Sequence, residues 1–308
     1  MTDLVFRPLA PGETGLFTSM PDPDRETALT GVAWLGRDFA ATMEAGHYRP
    51  QWTWVAVGRD GTVKARAAWY GGPDDDEPFA MDWFDPGDDP ATGVSLLKAS
   101  PLRKDYPLIL PPDWRDDPAT HQAATKRIEA ARAAGMHEFV ERLHLTWTPE
   151  RGLPERRGRL TFRPPEGAEP VRDVLQSILE GTLDAYSRRD VENHGAAKAA
   201  QEALDVLLWL PGSNTGWRLA YDTNGDLVGI VVPSRNYQHA VIAFVGVLPA
   251  HRGHGYASDL LAEGTLQLVH DQEREIHADT DTTNAPMAAT FERAGYLVTQ
   301  RRLILTYE

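Results

Sequence analysis

The two halves of this chain repeat one another. Phe6-Arg7-Pro8 recurs as Phe162-Arg163-Pro164. Arg132-Ala133-Ala134-Gly135 has its counterpart in Glu292-Arg293-Ala294-Gly295. Eight residues beyond each glycine stands a strand-like run, Leu143-His144-Leu145-Thr146-Trp147 in one half and Leu303-Ile304-Leu305-Thr306-Tyr307 in the other. An offset of this size is a whole domain rather than a solenoid unit, and 308 residues accommodate two domains of ordinary size. The polar, Gly- and Pro-containing stretch Thr148–Leu160 reads as the linker. The expected domains are therefore 1–150 and 151–308.

Periodicity fills in each half. The first opens with a strand over Leu4–Leu9 and a helical face made by Leu29, Val32, Leu35, Phe39 and Met43. Trp52–Tyr70 reads as a hairpin around Arg59-Asp60-Gly61. A short strand Phe79–Phe84, helices near Thr92–Lys98 and Ala119–Ala134, and strands at Leu108–Leu110 and Phe139–Trp147 complete it. The second half opens with a strand at Leu160–Pro164. One helix face follows through Val171, Leu175, Ile178, Leu179 and Leu183, then a helix Ala196–Trp209. Trp217–Val232 is a hairpin around Asn224-Gly225, and a strand runs from Tyr237 to Val247.

That last strand leads into the stretch on which a function turns, Ile242–Ala257. An apolar run breaks at Leu248-Pro249, gives Arg252-Gly253-His254-Gly255-Tyr256-Ala257, and passes at once into a helix pattern carrying Leu260, Leu261, Leu266 and Leu268. Strand, Gly-rich turn and helix can hold a phosphate. Glycine lets backbone approach closely, and the first amides of a helix are unpaired and lie at the positive end of its dipole. The turn lacks the Lys-Ser/Thr of a nucleotide-triphosphate loop, and no Gly-x-Gly-x-x-Gly opens the helix.

Downstream come a strand Glu275–Thr280, Asn284, a helix Ala285–Arg293, and Ala294-Gly295-Tyr296. This order resembles the GCN5-related N-acetyltransferase (GNAT) family. Arg252, Gly255 and Ala257 match its (Gln/Arg)-x-x-Gly-x-(Gly/Ala) motif, and Asn284, Phe291, Gly295 and Tyr296 match its second motif at the same spacing. The resemblance implies an α/β fold of two tandem GNAT-like domains, each a mixed, mostly antiparallel sheet flanked by helices. The tandem arrangement is similar in architecture to that of mycothiol synthases.

The resemblance also implies a chemistry, the direct attack of an amine on an acyl-CoA thioester, with acetyl-CoA the expected donor. Its diphosphate would lie on the backbone amides of Arg252, Gly253, His254, Gly255, Tyr256 and Ala257. The backbone of Val245 and Val247 would pair with the pantetheine arm, and the Val245 N–H would face the thioester oxygen. Asn284 would meet the arm or the backbone beside it, and Phe291 would pack against it. Two positions depart from the family. Phe291 stands where a tyrosine often protonates the leaving thiolate, and Val241 where a glutamate often serves as base. His239, two residues earlier on the same strand face, takes the base role or is a strand-end surface histidine. Asp279 and Asp281 hold a cationic acceptor, act through water, or cap a helix. Tyr256 is a thiolate acid or a packing residue. The ten histidines have no metal-ligand spacing, so no metal is expected.

The matching turn in the first half reads Asp85-Pro86-Gly87-Asp88-Asp89-Pro90, within a segment, 71–90, of eight acids and no base. Carboxylates stand where a diphosphate would lie, and unit charges ~4 Å apart repel by ~1 kcal/mol even in water. Pro90 removes one donor. The first domain is expected to be degenerate, walling part of the acceptor cleft without holding CoA.

Composition bounds the rest. A net charge of −14 argues against nucleic-acid binding. The absence of cysteine excludes disulfides, thiolate metal sites and an acyl-cysteine intermediate. No apolar run approaches a membrane span. The start, with Asp3 and no basic region before an apolar core, does not read as a secretory leader. The expectation is a cytoplasmic monomer or homodimer acting on a small-molecule or peptide amine. A non-catalytic acyl-CoA-binding module and an O-acyltransferase are the alternatives.

Overall fold

The computed structural model of the chain describes residues 4–21, 38–212, 214–236 and 238–307. Its elements begin with β1 (Val5–Pro8), α1 (Thr14–Thr18), α2 (Phe39–Glu44), β2 (Tyr48–Val57), β3 (Val63–Tyr70) and β4 (Ala80–Asp85). There follow α3 (Pro90–Ala99), β5 (Tyr106–Leu110), α4 (Pro118–Ala133) and β6 (His137–Trp147). The second half holds β7 (Thr161–Arg163), α5 (Glu169–Leu179), α6 (Ala185–His194), α7 (Ala196–Trp209), β8 (Arg218–Tyr221) and β9 (Leu227–Arg235). It closes with β10 (Ala240–Val247), α8 (Tyr256–His270), β11 (Ile276–Asp281), α9 (Ala285–Arg293) and β12 (Leu297–Thr306).

Packing divides these into two units, Met1–Glu141 with Gln300–Glu308, and Arg142–Thr299. The closing strands β6 and β12 are long enough to serve both. Residues 142–147 pair with β11 inside the second unit, and residues 301–305 pair with β5 inside the first.

In the first unit β1-β2-β3-β4 form an antiparallel sheet. One face packs Trp69, Met81 and Phe84 with Leu96, Leu97 and Ile128. The other packs Tyr48, Val55 and Trp83 with Phe17 and Phe39, whose rings stack 3.9 Å apart. Of the helical face expected from Leu29 to Met43, Leu29, Val32 and Leu35 lie outside the described residues, and Phe39 and Met43 are on α2.

In the second unit the strands run in the order β7-β8-β9-β10-β11-β6. Neighbours are antiparallel except β10 and β11, which are parallel. Alternation on β9 sends Val231 to one face and Ile230 and Val232 to the other. Val231 meets Leu260, Leu261 and Phe291. Ile230 and Val232 meet Val171, Leu175, Leu204 and Leu207 of α5 and α7. Helices thus cover both faces, and each fully buried leucine of α8 contributes ~1.5–3 kcal/mol. Gly264 lets α8 settle close to the sheet, because a Cβ there would stand 2.7 Å from Val231 Cγ2. The helix face expected through Leu183 ends with α5 at Leu179, and Leu183 lies in the turn before α6. Gly181, at φ +72°, follows the end of α5, and Asp184 caps α6 by accepting from Ser187 N at 2.8 Å.

Candidate active site

The site begins where β10 and β11 part. They pair only at Ala240 with Ile276 and at Val241 with His277. A register shift between Ile242 and Phe244 bends β10 at that point. Past the bend, β10 stays on β9 and β11 stays on β6. The Leu248 N–H donates to the Val228 carbonyl at 2.8 Å, toward β9. Backbone groups alternate sides along a strand, so the amides of Val245 and Val247 point away from β9, into the opening. A cleft of about 590 Å³ occupies it, walled by Ile178, Val245, Val247 and Met287 and carrying Arg252, Tyr256, Asn284 and Arg293.

The Gly-rich turn closes one end. Gly255, at φ +75°, is the N-cap of α8 and brings no capping side chain, so the helix presents its first amides uncapped. Arg159 holds the turn from behind. It donates to the carbonyls of His254 at 2.9 Å and Gly255 at 3.2 Å, and pairs with the buried carboxylate of Asp259. In a trans peptide the N–H points opposite to the C=O, so Arg159 turns the amides of Gly255 and Tyr256 the other way. Arg252 is a brace as well. Its guanidinium donates to the carbonyls of Ile178 (2.9 Å), Gly181 (3.1 Å) and Val247 (3.3 Å).

Residues 181–296, which contain this whole arrangement after α5, match the model of the Acetyltransferase (GNAT) family. The segment is similar to the GNAT acetyltransferases, a family that transfers acyl groups from acyl-CoA. Three solved structures extend the likeness in fold to the whole chain. A GCN5-related N-acetyltransferase from Sphaerobacter thermophilus is 16% identical, with 98% of this chain and 94% of that one covered and a TM-score of 0.56. A tandem GNAT protein from the clavulanic acid biosynthesis pathway is 16% identical over 99% and 98%, at 0.50. A glucosamine N-acetyltransferase region of a fungal multi-domain β-N-acetylglucosaminidase is 12% identical, covering 99% of this chain and 38% of that one, at 0.55. A search of curated protein sequences found no match.

The second unit distributes the sequence candidates unevenly. Val245, Val247, Arg252, Gly253, Gly255, Tyr256, Ala257 and Asn284 line the cleft. Asn284 also caps α9, accepting from Met287 N at 3.4 Å. His254 turns its Nδ1 to the carbonyls of His251 and Arg252, at 3.2 and 3.0 Å. Phe291 is 2% exposed and packs edge-on against Tyr296 in the core, away from the cleft lining. Asp281 is buried at the start of α6, where it accepts from Ala185 N at 2.6 Å and stands 3.1 Å from Arg142 Nε. Burial, reinforced by Asp184, raises its pKa. His239 lies against His277, ring centres 4.1 Å apart, at the paired end of β10 and β11. Burial lowers the pKa of His277, although Glu275 opposes this.

Sequence reasoning passed over Arg293, whose guanidinium donates to Thr290 Oγ1 at 3.1 Å on the cleft wall, and Arg159. Arg293 follows Asn284 on one short helix and was within reach of a closer reading. Arg159 sits in the stretch read as a linker, and nothing local marks it.

The equivalent turn of the first unit is built differently. Asp85 is buried between Arg66 (2.6 Å) and Arg127 (2.7 Å). Asp89 caps α3 itself, accepting from Ala91 N at 3.1 Å, with Pro90 at the first helical position. Among the described residues no helix is long and apolar enough to cross a membrane.

Proposed function

We propose that this chain is an acyl-CoA-dependent N-acyltransferase acting on a primary amine of a small molecule or peptide, with acetyl-CoA as donor. In this reading residues 151–308 carry the reaction, and the first domain, its turn self-capped by Asp89, holds no CoA. The observation that carries the proposal is the wedge between β10 and β11 with the uncapped start of α8 at its end. An extended arm fits the backbone of Val245 and Val247, and an anion fits the amides from Gly253 to Ala257.

Acyl-CoA supplies a thioester carbonyl; an N–C bond forms as the C–S bond breaks, the amine gives up a proton, and the sulfur takes one. The Val245 N–H is the donor aimed into the wedge, and such a donor is worth ~3 kcal/mol of barrier in other enzymes. The Arg159 and Arg252 braces keep the turn and strand end in place, so that little reorganisation is left for the moment of binding. His251 and Tyr256 line the cleft and carry the imidazole and the phenol that could hand a proton to or from the reacting atoms.

A second reading, a non-catalytic acyl-CoA-binding module, is favoured by Val241 and Phe291 at the family's base and acid positions and by the absence of His239 and Asp281 from the cleft lining. Thiol release from acetyl-CoA with a panel of amines, aminoglycosides and peptides, and alcohols beside them, separates the readings. Turnover with an amine and not with its alcohol counterpart supports N-acyl transfer. CoA affinity without turnover across the panel supports the binding module.

A further inference from the structure

At the end of β10 and β11 where they still pair, three strands gather a set of donors that no local pattern announces. His239 directly precedes β10, Glu275 directly precedes β11, His277 is on β11 and faces Val241, and His144 is on β6 opposite Asp279. His277 Nε2 is 2.7 Å from Glu275 Oε1, and His239 Nδ1 is 3.8 Å from the same oxygen. One donor atom from each of His239, Glu275 and His277 can be chosen so that all three lie within 4.8 Å of one another.

We propose that His239, Glu275 and His277 bind a divalent transition-metal ion of the zinc class. The placing of the donors and of the groups behind them carries the argument. Asp279 Oδ1 is 3.0 Å from His144 Nδ1, His144 Nε2 is 2.9 Å from His277 Nδ1, and His277 Nε2 faces the Glu275 carboxylate. The Nε2 atom of His277 and the carboxylate of Glu275 face each other, with the Nδ1 atom of His239 beside the same oxygen, so two imidazole nitrogens and a carboxylate oxygen converge on one point where an ion could take all three.

The surroundings fit such an ion. His277 directs its second nitrogen to His144, with Thr146 Oγ1 3.3 Å from the same atom, and His144 is held in turn by Asp279. A carboxylate-anchored partner of this kind fixes the ring and tautomer of a metal-bound histidine. His277 is nearly buried, whereas His239 and Glu275 have side chains 41% and 54% exposed, with room for Glu275 to move out from 2.7 Å and His239 to move in from 3.8 Å toward the ~3.3 Å ligand separation of a tetrahedral shell. Two imidazoles and a carboxylate suit zinc, cobalt or nickel rather than magnesium or calcium, which take all-oxygen shells. Three protein donors leave a fourth position to solvent.

The test uses the full chain, stripped with a chelator and titrated with Zn²⁺ by calorimetry and with Co²⁺ by visible absorption. The expected result is one ion per chain with a dissociation constant at or below about 1 μM, and the intense cobalt bands of a four-coordinate site. His239→Ala, at an exposed position, and His277→Ala each weaken binding at least ~10-fold, and His144→Ala weakens it by ~10-fold through loss of the ring's anchor. His137→Ala and His194→Ala leave it unchanged. Absence of saturable binding below about 100 μM overturns the proposal. So does zinc affinity indifferent to His239→Ala, or weakened equally by His137→Ala and His194→Ala, which would mark adventitious surface binding. A failed zinc titration alongside normal acetyl-CoA turnover refutes the metal site alone.

Discussion

Arg159 and His254 stand 95 positions apart in sequence, yet the guanidinium of one donates to the carbonyl of the other at 2.9 Å. That bond and its neighbour to Gly255 determine which way two peptide planes of the turn face. Arg159→Met is expected to raise the CoA dissociation constant ~10-fold, about 1.4 kcal/mol, while the far-ultraviolet spectrum stays native. Arg159→Lys rescues little, because a compact ammonium cannot span the two carbonyls and Asp259 together. Calorimetry with CoA decides; an unchanged constant in Arg159→Met removes the bracing role.

Gly255 tests the same turn from its backbone. At φ +75° an alanine costs ~1–2 kcal/mol, so Gly255→Ala should bind CoA about 5- to 30-fold more weakly. Gly255→Asp adds a negative charge beside the diphosphate position and should bind more than ~100-fold more weakly. If Gly255→Asp retained normal CoA affinity, the assignment of the cofactor to the second domain would fall.

The first unit makes a stability prediction. Asp85 is 1% exposed between Arg66 and Arg127, themselves 3% and 2% exposed. Asp85→Asn leaves two guanidinium groups buried without their carboxylate and should cost about 3–5 kcal/mol. Replacing all three residues with apolar side chains of similar volume should recover most of it. Urea denaturation measures both, and a loss below ~1 kcal/mol for Asp85→Asn would show the triad to be well hydrated.

Glu141 gives a pH dependence. Burial pushes its pKa up, but hydrogen bonds from Arg115 and Arg301 outweigh burial and hold it below the ordinary value. A depressed carboxylate stabilises the fold fully above the unfolded value of ~4.3 and loses that contribution as pH falls through the folded one. Glu141→Gln should therefore be less stable than the parent by ~1 kcal/mol at neutral pH, and the two should converge in acid. Melting curves from neutral pH downward check this; a gap that widens in acid contradicts the sign.

Some of this protein was written in local sequence. Arg252, Gly255 and Ala257 announce a strand, an αL glycine and an uncapped helix within sixteen residues, because torsional freedom and the first amides of a helix are properties of neighbours along the chain. The duplicated Phe-Arg-Pro and the matching Arg132–Gly135 and Glu292–Gly295 segments likewise pointed to two copies of one fold. The helix read as continuous through Leu183 and broken at Gly181 shows where such reading stops, since burial periodicity persists across a turn. What tertiary structure alone decided is which strands touch. The bend in β10 opens the wedge only because β9 and β6 hold its two sides. His144, His239, Glu275 and His277 come from three strands with no common spacing, and strand register, a long-range choice made by the buried faces of the sheet, sets them side by side. Asp281 and Phe291 went the other way for the same reason. Their surroundings, the start of α6 and the core beside Tyr296, are supplied by chain distant in sequence or hidden by packing.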